Sequence, residues 1–213
     1  MIPAEQDFIN AIRAVTRELG AVLILDEVIT LRLAPGGGQE WYGVEGDLSC
    51  YGKMLGGGLP LGALGGRADL MALFDPAGNE PLAHPGSMNG YPVALAAAMA
   101  TLDALTPSTI ASMNAAGDEL RSRLESVAVS HARDVCVTGA GSLLGLHMTT
   151  GPVRSFRDTW VEDTATGHAL FLGLLNEGVL IDRRGAACLS SVSTASDVDA
   201  FVDAFDTVLE RLG

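Results

Sequence analysis

Two residues near the start of the chain are of types that can act together on a carbonyl compound. Asp26 directly follows the apolar run Ala21–Leu25, and Lys53 comes two residues after a second apolar segment, Leu48–Tyr51. Open α/β sheets bind their ligands at the carboxyl ends of parallel strands. A partly desolvated lysine amine at such a place is a nucleophile towards carbonyl carbons. An ordinary loop aspartate and a surface lysine are the alternative interpretation of these positions.

Asp26 and Lys53 together are typical of a pyridoxal phosphate site. Proteins hold this cofactor through a Schiff base to a lysine and through a carboxylate paired with its ring nitrogen. The carboxylate keeps that nitrogen protonated, so the ring can withdraw electrons from the substrate carbon. The glycines Gly56–Gly58 that follow Lys53 allow the backbone to approach a ligand closely. The pair therefore indicates a pyridoxal phosphate site in which Lys53 is the catalytic residue.

The overall composition narrows the class of protein. The chain has 213 residues, of which 48% are hydrophobic and 18% are charged, so it has ample apolar sequence for a folded core. Its 26 acidic residues outnumber its 13 basic residues, and the net charge is −13. That balance argues against a nucleic-acid or anionic-membrane surface. Lys53 is the only lysine in the sequence.

Cysteine usage and the N-terminal residues bear on the compartment. The three cysteines, Cys50, Cys136 and Cys188, have no CxxC spacing, which argues against a disulfide framework or a zinc site. Residues 1–7 lack the basic and apolar regions of a signal peptide. No apolar run approaches the ~20 residues of a membrane span. We therefore expect a cytoplasmic protein without a metal site.

Other motifs are weaker candidates for chemistry. The segment Gly139–Gly145 has the glycines of a dinucleotide-binding loop but the wrong spacing, and strand-like residues follow it. The four histidines are scattered without the spacing of metal ligands. Arg183 and Arg184 could bind a carboxylate, although an exposed basic pair is the simpler interpretation.

Hydrophobic spacing divides the chain into two parts, for which we predict domains at 1–115 and 116–213. In the first part, the elements predicted are helices at 8–19, 67–74, 91–105 and 107–129, strands at 21–25, 48–51 and 61–64, and a glycine-rich loop at 28–46. The unbroken run at 21–25 is typical of a parallel strand buried on both faces. Glu27, just beyond it, is as well suited to face solvent as to face the site.

The second part of the chain has a different pattern of predicted elements. The elements predicted there are strands at 135–138, 143–149 and 179–181 and helices at 164–176 and 195–212. The fold class predicted is therefore α/β, with part of a mostly parallel sheet followed by a small α+β domain.

Around Asp26 and Lys53 the sequence resembles the class III aminotransferases. The similarity runs through Leu23–Thr30, Gly36–Gln39 and Asp47–Arg67, and it returns in Gly86–Pro92 before an alanine-rich helix. The Gly-Gly-x-Gln and Gly-Gly-Arg elements point to the branch that resembles glutamate-1-semialdehyde 2,1-aminomutase. Order and spacing agree over residues 1–105 and more loosely to the C-terminus.

The resemblance implies an enzyme of fold type I that uses pyridoxal phosphate to move an amino group between an amino acid or amine and a carbonyl compound. By position, Lys53 forms the Schiff base and then moves the proton between substrate and cofactor. Asp26 pairs with the ring nitrogen, and Val28 packs against the ring. Gly86 and Ser87 contact the cofactor phosphate of the neighbouring subunit in a homodimer, and Ser87 stands where the family usually has threonine.

Members of the family are roughly twice as long as this chain. By resemblance, the remaining half holds the first strands of the sheet, the loop that grips the phosphate and the aromatic residue stacked on the ring. We therefore expect pairing with a chain that supplies this half, or else a truncated, non-catalytic fragment. A small α/β binding module is a third hypothesis. The segment Gly185–Ser190 lacks the Glu, the aromatic and the Arg that mark different branches, so the resemblance does not identify the substrate.

Overall fold

The computed structural model of the chain describes residues 1–212 and divides into two compact units. The first unit is Gln6–Ile110, and the second comprises Met1–Glu5 together with the residues from Ala111 onward. The division falls inside a long helix, Pro107–Ser130, which also contains the predicted boundary after residue 115.

The first unit alternates helices with three short strands. Its elements are α1 (Gln6–Glu18), β1 (Ile24–Asp26), α2 (Gly37–Tyr42), β2 (Leu48–Tyr51), β3 (Ala63–Gly66), α3 (Ala68–Met71) and α4 (Pro92–Ala104), and α5 (Pro107–Ser130) begins here. Short 3-10 turns cover Thr30–Arg32, Lys53–Gly56 and Ala72–Phe74. The strand order is β1-β2-β3.

The sheet of the first unit is mixed. Strands β1 and β2 run parallel, with Ile24 opposite Leu48 and Asp26 opposite Cys50. Strand β3 runs antiparallel to β2, because the chain turns back after Lys53 without a helical crossover. The α/β prediction is confirmed, and this chain contributes one parallel and one antiparallel pairing to the sheet.

Strand β1 is shorter and more exposed than the prediction for residues 21–25. Its ladder covers Ile24–Asp26, and the side chains of Val22 and Ile24 are 47% and 55% exposed. Among residues 1–212, β1 pairs only with β2, so its other edge has no neighbouring strand. The apolar run at 21–25 therefore predicts the strand correctly, but both faces of this strand would be buried only if further layers of structure packed against them.

Two other predictions need correction. The glycine-rich loop at 28–46 contains a 3-10 turn and helix α2, because its glycines begin a helix around a buried carboxylate that is described below. The strand predicted at 179–181 is wrong. Ile181 is buried in the core of the second unit without a ladder, and the third strand is instead β6, Ala186–Cys188. The apolar spacing at 179–181 reflects burial alone.

The second unit is an antiparallel sheet packed against helices, as the α+β prediction requires. Its elements are α5, β4 (Cys136–Ala140), β5 (Leu143–His147), the 3-10 turn Phe156–Val161, α6 (Thr164–Asn176), β6 (Ala186–Cys188) and α7 (Ala195–Arg211). The strand order is β4-β5-β6. Leu124, Leu144, Leu174 and Phe205, from four of these elements, are almost completely buried in one core.

Candidate active site

Strands β1 and β2 bring Asp26 and Lys53 to the same end of the sheet, which is the end where both strands have their carboxyl termini. Asp26 is the last residue of β1 and lies opposite Cys50 of β2. Lys53 begins the 3-10 turn that follows β2. Because neighbouring strands lie ~4.8 Å apart, side chains at the ends of two paired strands share one small region. This is the carboxyl-end position where α/β sheets hold ligands.

The Asp26 carboxylate is held at one oxygen and open at the other. Its Oδ1 accepts a hydrogen bond of 3.0 Å from the backbone N–H of Val28, which fixes the side chain in a turn over the strand end. Within the described part of the chain, Oδ2 accepts no hydrogen bond and the carboxylate forms no ion pair. The side chain is exposed. Oδ2 is therefore available to an external N–H donor.

Lys53 has an unusual backbone. Its φ of +47° is in the left-handed region, which costs a non-glycine residue roughly 1–3 kcal/mol and is concentrated at functional sites. Ala132 also has a positive φ, but it follows the end of α5, where that conformation is common. The Lys53 side chain is exposed and forms no ion pair with any residue in 1–212, although the chain has 26 acidic residues. Its amine is thus not committed to a structural salt bridge.

Val28 packs beside the backbone that leads into Lys53. A Cβ added at Gly52 would lie 3.6 Å from Val28 Cγ2 and 3.5 Å from the Leu61 carbonyl oxygen. Gly52 is buried and Val28 is half-buried. The valine side chain is therefore close to Lys53 and to Asp26, two residues before it. Its apolar carbons can contact one face of a planar ring.

The turn after Lys53 is seated tightly on helix α4. A Cβ at Gly57 would lie 2.7 Å from both the Ala97 carbonyl oxygen and the Thr101 hydroxyl oxygen. Gly57 also has a φ of +59°. Since any larger residue would push this turn off the helix, glycine at this position sets where Lys53 stands.

Glu27 is a buried residue whose role the sequence leaves open. Its side chain is 2% exposed, so it does not face solvent. The carboxylate accepts hydrogen bonds from the backbone N–H groups of Gly38 (2.8 Å) and Gln39 (2.9 Å) and from the Thr30 hydroxyl. It therefore satisfies the first N–H groups of α2. The only sequence signal for this role is the Gly36–Gln39 element downstream.

Gln39 joins α2 to the strand that leads to Lys53. Its Nε2 donates a hydrogen bond of 2.9 Å to Ser49 Oγ on β2, and its Oε1 accepts one of 2.9 Å from the Gly46 N–H. Ser49 is buried. The Gly-Gly-x-Gln element thus links the carboxyl end of β1, through Glu27, to β2 and to the loop before it.

The buried carboxylate of Asp47 ties together three parts of the first unit. It forms ion pairs with Arg13 of α1 (2.8 Å) and with Arg67 after β3 (3.0 Å), and it accepts a hydrogen bond of 2.8 Å from the Leu23 N–H. These donors, with Arg13 first, hold the pKa of Asp47 well below its usual range. A Cβ at Gly66 would lie 2.3 Å from the Asp47 carbonyl oxygen. The Gly-Gly-Arg element is therefore structural.

This cluster gives a pH-dependent stability. Because the pKa of Asp47 is lower in the folded than in the unfolded state, its contribution is complete above the unfolded value of about 4 and is lost as the pH falls towards the folded value. We expect Asp47→Asn to be less stable than the wild type at neutral pH and to lose less stability on acidification. Urea titrations at several pH values, followed by Trp41 fluorescence in a Trp160→Phe background, measure this difference.

Asp69→Asn is the matched control, because Asp69 also pairs with Arg67 but is exposed. It should change the free energy of unfolding much less than Asp47→Asn. Equal pH dependence in the wild type and in Asp47→Asn would show that the cluster does not stabilise the unit.

Gly86 and Ser87 lie in the exposed connection between α3 and α4. The Asn89 N–H donates a hydrogen bond of 3.1 Å to the Gly86 carbonyl oxygen, which closes a turn at Ser87. The Ser87 hydroxyl has no hydrogen-bond partner in residues 1–212. The structure thus presents both residues on the surface and does not join them to Asp26 or Lys53.

Within residues 1–212, no group of three or more His, Cys, Asp or Glu side chains could hold a metal ion. His147 is buried and bonded, with Nδ1 2.6 Å from Glu162 Oε1 and Nε2 3.0 Å from Thr138 Oγ1. No single helix in that range is long and apolar enough to cross a membrane, and α4 with α5 meets the requirement only as a bent pair.

Comparison with known proteins assigns the family. The profile of the family "Aminotransferase class-III" matches residues 1–209. β-Phenylalanine transaminase of Variovorax paradoxus is 40% identical over 209 residues, which cover 98% of this chain and 48% of that protein. Glutamate-1-semialdehyde 2,1-aminomutase 1 of Staphylococcus aureus is 35% identical over 215 residues, covering 100% of this chain and 50% of the relative. The chain belongs to the class III aminotransferase family, as its resemblance predicts.

The fold agrees with that assignment. The crystal structure of the β-phenylalanine aminotransferase from Variovorax paradoxus matches with a TM-score of 0.94 and 39% identity, over 99% of this chain and 49% of that one. The chain therefore spans about half the length of the relatives it matches.

Class III aminotransferases depend on pyridoxal phosphate, and the residues at this sheet edge fit that cofactor. Asp26 has an open oxygen for a ring N–H, Lys53 has an amine without an ion pair, and Val28 offers an apolar face. By position, these three side chains would serve the ring and the aldehyde of the cofactor. Gly86 and Ser87 are the residues that by position would serve a phosphate.

Proposed function

We propose that this chain is the C-terminal half of a pyridoxal-phosphate-dependent transaminase or aminomutase, which moves an amino group between an amino acid or amine and a carbonyl compound. The observation that carries the proposal is the placement of Asp26 and Lys53 at the carboxyl ends of two paired parallel strands. Membership of the class III family supports the same reaction class.

The positions of Lys53, Asp26 and Val28 suggest a separate role for each residue. When bound, pyridoxal phosphate supplies an aldehyde that condenses with amines and a ring that accepts electrons from the substrate carbon. Lys53 Nζ would hold the cofactor at that aldehyde, and its amine would be the base that moves the proton of the substrate carbon. Asp26 Oδ2 would accept a hydrogen bond from the ring N–H and so keep that nitrogen protonated. Val28 keeps water from one face of the ring.

We also propose that the rest of a class III protein covers the outer surface of the first unit. Helix α1 has no buried residue, and its apolar side chains Phe8, Val15 and Leu19 are exposed together with Val22 and Ile24 of the sheet edge. Apolar helix and strand faces of this kind normally lie against another layer. The half absent from this chain, supplied by the same or a second polypeptide within a homodimer, is the occupant of matching length.

Complementation tests the proposed function and the assembly together. The chain is produced alone and with the N-terminal half of the β-phenylalanine transaminase of Variovorax paradoxus, and amino transfer is assayed with β-phenylalanine and with glutamate 1-semialdehyde. We expect transfer only from the pair of halves. If the halves form a stable complex that transfers an amino group neither from these two donors nor from any other amine tried, the chain is a non-catalytic partner or fragment.

Ile24→Glu is expected to weaken association of the two halves by about tenfold or more, because it places a charge on an exposed apolar face that the other half is proposed to cover. Val129→Glu is the matched control, since Val129 is an exposed β-branched residue of α5 in the second unit. Analytical ultracentrifugation measures both. Unchanged association of Ile24→Glu would remove the β1 edge from the proposed surface.

A further inference from the structure

We propose that Glu27 is a positioning residue for this site. Its buried carboxylate holds the turn that carries Asp26 and Val28 in place relative to the strand that leads to Lys53. The inference rests on the proposed function for its catalytic meaning, although its structural content can be tested without the cofactor.

Every polar group of Glu27 is bonded. Its backbone N–H donates to the Cys50 carbonyl oxygen at 2.8 Å, and its own carbonyl oxygen accepts from the Leu31 N–H at 3.1 Å. Its carboxylate accepts from Gly38, Gln39 and Thr30, as described above. A residue only 2% exposed is thus tied to β2 through its backbone and to α2 through its side chain.

The site around the carboxylate is built for a charged acceptor. Cβ atoms added at Gly37 and Gly38 would each lie 3.0 Å from Glu27 Oε2, so only glycine lets the backbone approach this closely. No cation pairs with Glu27 within residues 1–212. Its charge is balanced by N–H and O–H donors, and each would lose its acceptor if the carboxylate were removed, the Gly38 N–H in a buried position.

Glu27 acts through neighbouring residues and does not face the cofactor side. Successive residues of a strand point to opposite faces, and here Asp26 is exposed while Glu27 is buried. The carboxylate anchors α2, and Gln39 of α2 then binds Ser49 on β2. One buried acid therefore couples the end of the Asp26 strand to the Lys53 strand by two routes, through the Cys50 carbonyl and through α2.

Two variants weaken this anchor to different degrees. Glu27→Gln removes the charge and replaces one acceptor oxygen with an amide that donates, and Thr30→Val removes a single hydroxyl donor with little change of shape. Glu40→Gln is the matched control. Glu40 also accepts from the start of α2, through the Gly36 N–H at 2.6 Å, but it is exposed and makes no link to β1.

The first readout is hydrogen exchange of the Val28 amide, which reports the bond to Asp26 Oδ1 without any cofactor. We expect exchange to accelerate about tenfold or more in Glu27→Gln and by a smaller factor in Thr30→Val, and to stay unchanged in Glu40→Gln. If Glu27→Gln fails to fold, the exchange rate of the Val28 amide in Thr30→Val decides whether the inference holds. Exchange of Val28 at the wild-type rate in the folded variants overturns the inference.

The second readout uses the protein loaded with pyridoxal phosphate. If Glu27 positions Asp26, the pH midpoint of the visible absorbance of the bound cofactor should shift in Glu27→Gln and not in Glu40→Gln. A purely structural role would lower the bound fraction without moving that midpoint, so an unmoved midpoint at full occupancy overturns the positioning role. A wild type that binds no cofactor would contradict the proposed function, and hydrogen exchange would still decide the anchoring role.

Discussion

Lys53→Ala is expected to reduce amino transfer by about a thousandfold or more in the assembled protein. Lys53 is the only lysine in the chain, so no other lysine of this chain can replace it. On the proposed assignment, the variant loses both the group that attaches the cofactor and the base that moves the substrate proton, and proton transfer by a positioned side chain alone is worth about 10²–10⁴ in rate. Initial rates at saturating donor and acceptor measure the loss.

Lys53→Arg is the control for charge. Arginine keeps the positive charge and most of the side-chain length at a backbone with φ of +47°, but its guanidinium is not a nucleophile at neutral pH. We expect it to be as inactive as Lys53→Ala while folding equally well. Activity of Lys53→Ala within about tenfold of the wild type would contradict the assignment of Lys53.

Asp26→Asn is expected to lower amino transfer by about a hundredfold to a thousandfold, the usual loss when one preorganised electrostatic partner of a developing charge is removed. The amide keeps the hydrogen bond from the Val28 N–H, because its oxygen can still accept it. The loss therefore isolates the negative charge at Oδ2. Cofactor affinity should fall much less than the rate, since Lys53 still attaches the cofactor.

Asp182→Asn provides a matched control for this change. Asp182 is exposed and its Oδ1 accepts from the backbone N–H two residues later, Arg184, at 2.8 Å, which repeats the turn at Asp26. It lies in the second unit and belongs to no site proposed here. A similar loss of rate in both variants, or none in Asp26→Asn, would show that the Asp26 charge has no special part in the reaction.

The placement of Asp26 and Lys53 can be predicted from residue type and position alone. A carboxylate directly after one apolar run and a lysine just after the next are sufficient to predict that the two share a sheet edge, because parallel strands end at the same side. The structure places Asp26 and Lys53 there. The family resemblance adds Val28, and the structure shows its side chain against Gly52.

The supporting residues are harder to predict. A glutamate beside a strand end is usually exposed, so nothing at its own position in the sequence distinguishes Glu27 from a surface acid. Its role depends on glycines ten and eleven positions later, and only the close approach of Gly37 and Gly38 reveals that the backbone encloses the carboxylate. The sequence pattern Gly36–Gln39 is recognisable, but its physical reason lies in contacts between distant residues.

The errors in strand prediction have the same origin. Ala186–Cys188 has neither β-branched residues nor alternation, and it becomes a strand because β5 is available to pair with it. Val179 and Ile181 have the expected composition but pack into the core without a ladder. Pairing between residues far apart in sequence decides both cases, and local patterns do not contain that information.

Several glycines of the first unit are required by close approach. Helix α4 packs closely against Gly57, and the backbone of Asp47 packs closely against Gly66. Gly57 and the Glu27 anchor hold the carboxyl ends of β1 and β2, and the Asp47 cluster with Gly66 holds the opposite ends of these strands. Such preorganisation is what allows a lysine and a carboxylate to act on one bound ring without a further rearrangement.

Covalent trapping of the cofactor tests the central claim most directly. The chain, alone and with its complementary half, is mixed with pyridoxal phosphate and reduced with borohydride, and its peptides are analysed by mass spectrometry. The N-terminal amine is the internal control, because Lys53 is the only lysine. We predict stoichiometric pyridoxyl labelling of Lys53 in preference to the N-terminus. Equal or absent labelling of Lys53 in the assembled protein would contradict the assignment of this sheet edge as the cofactor site.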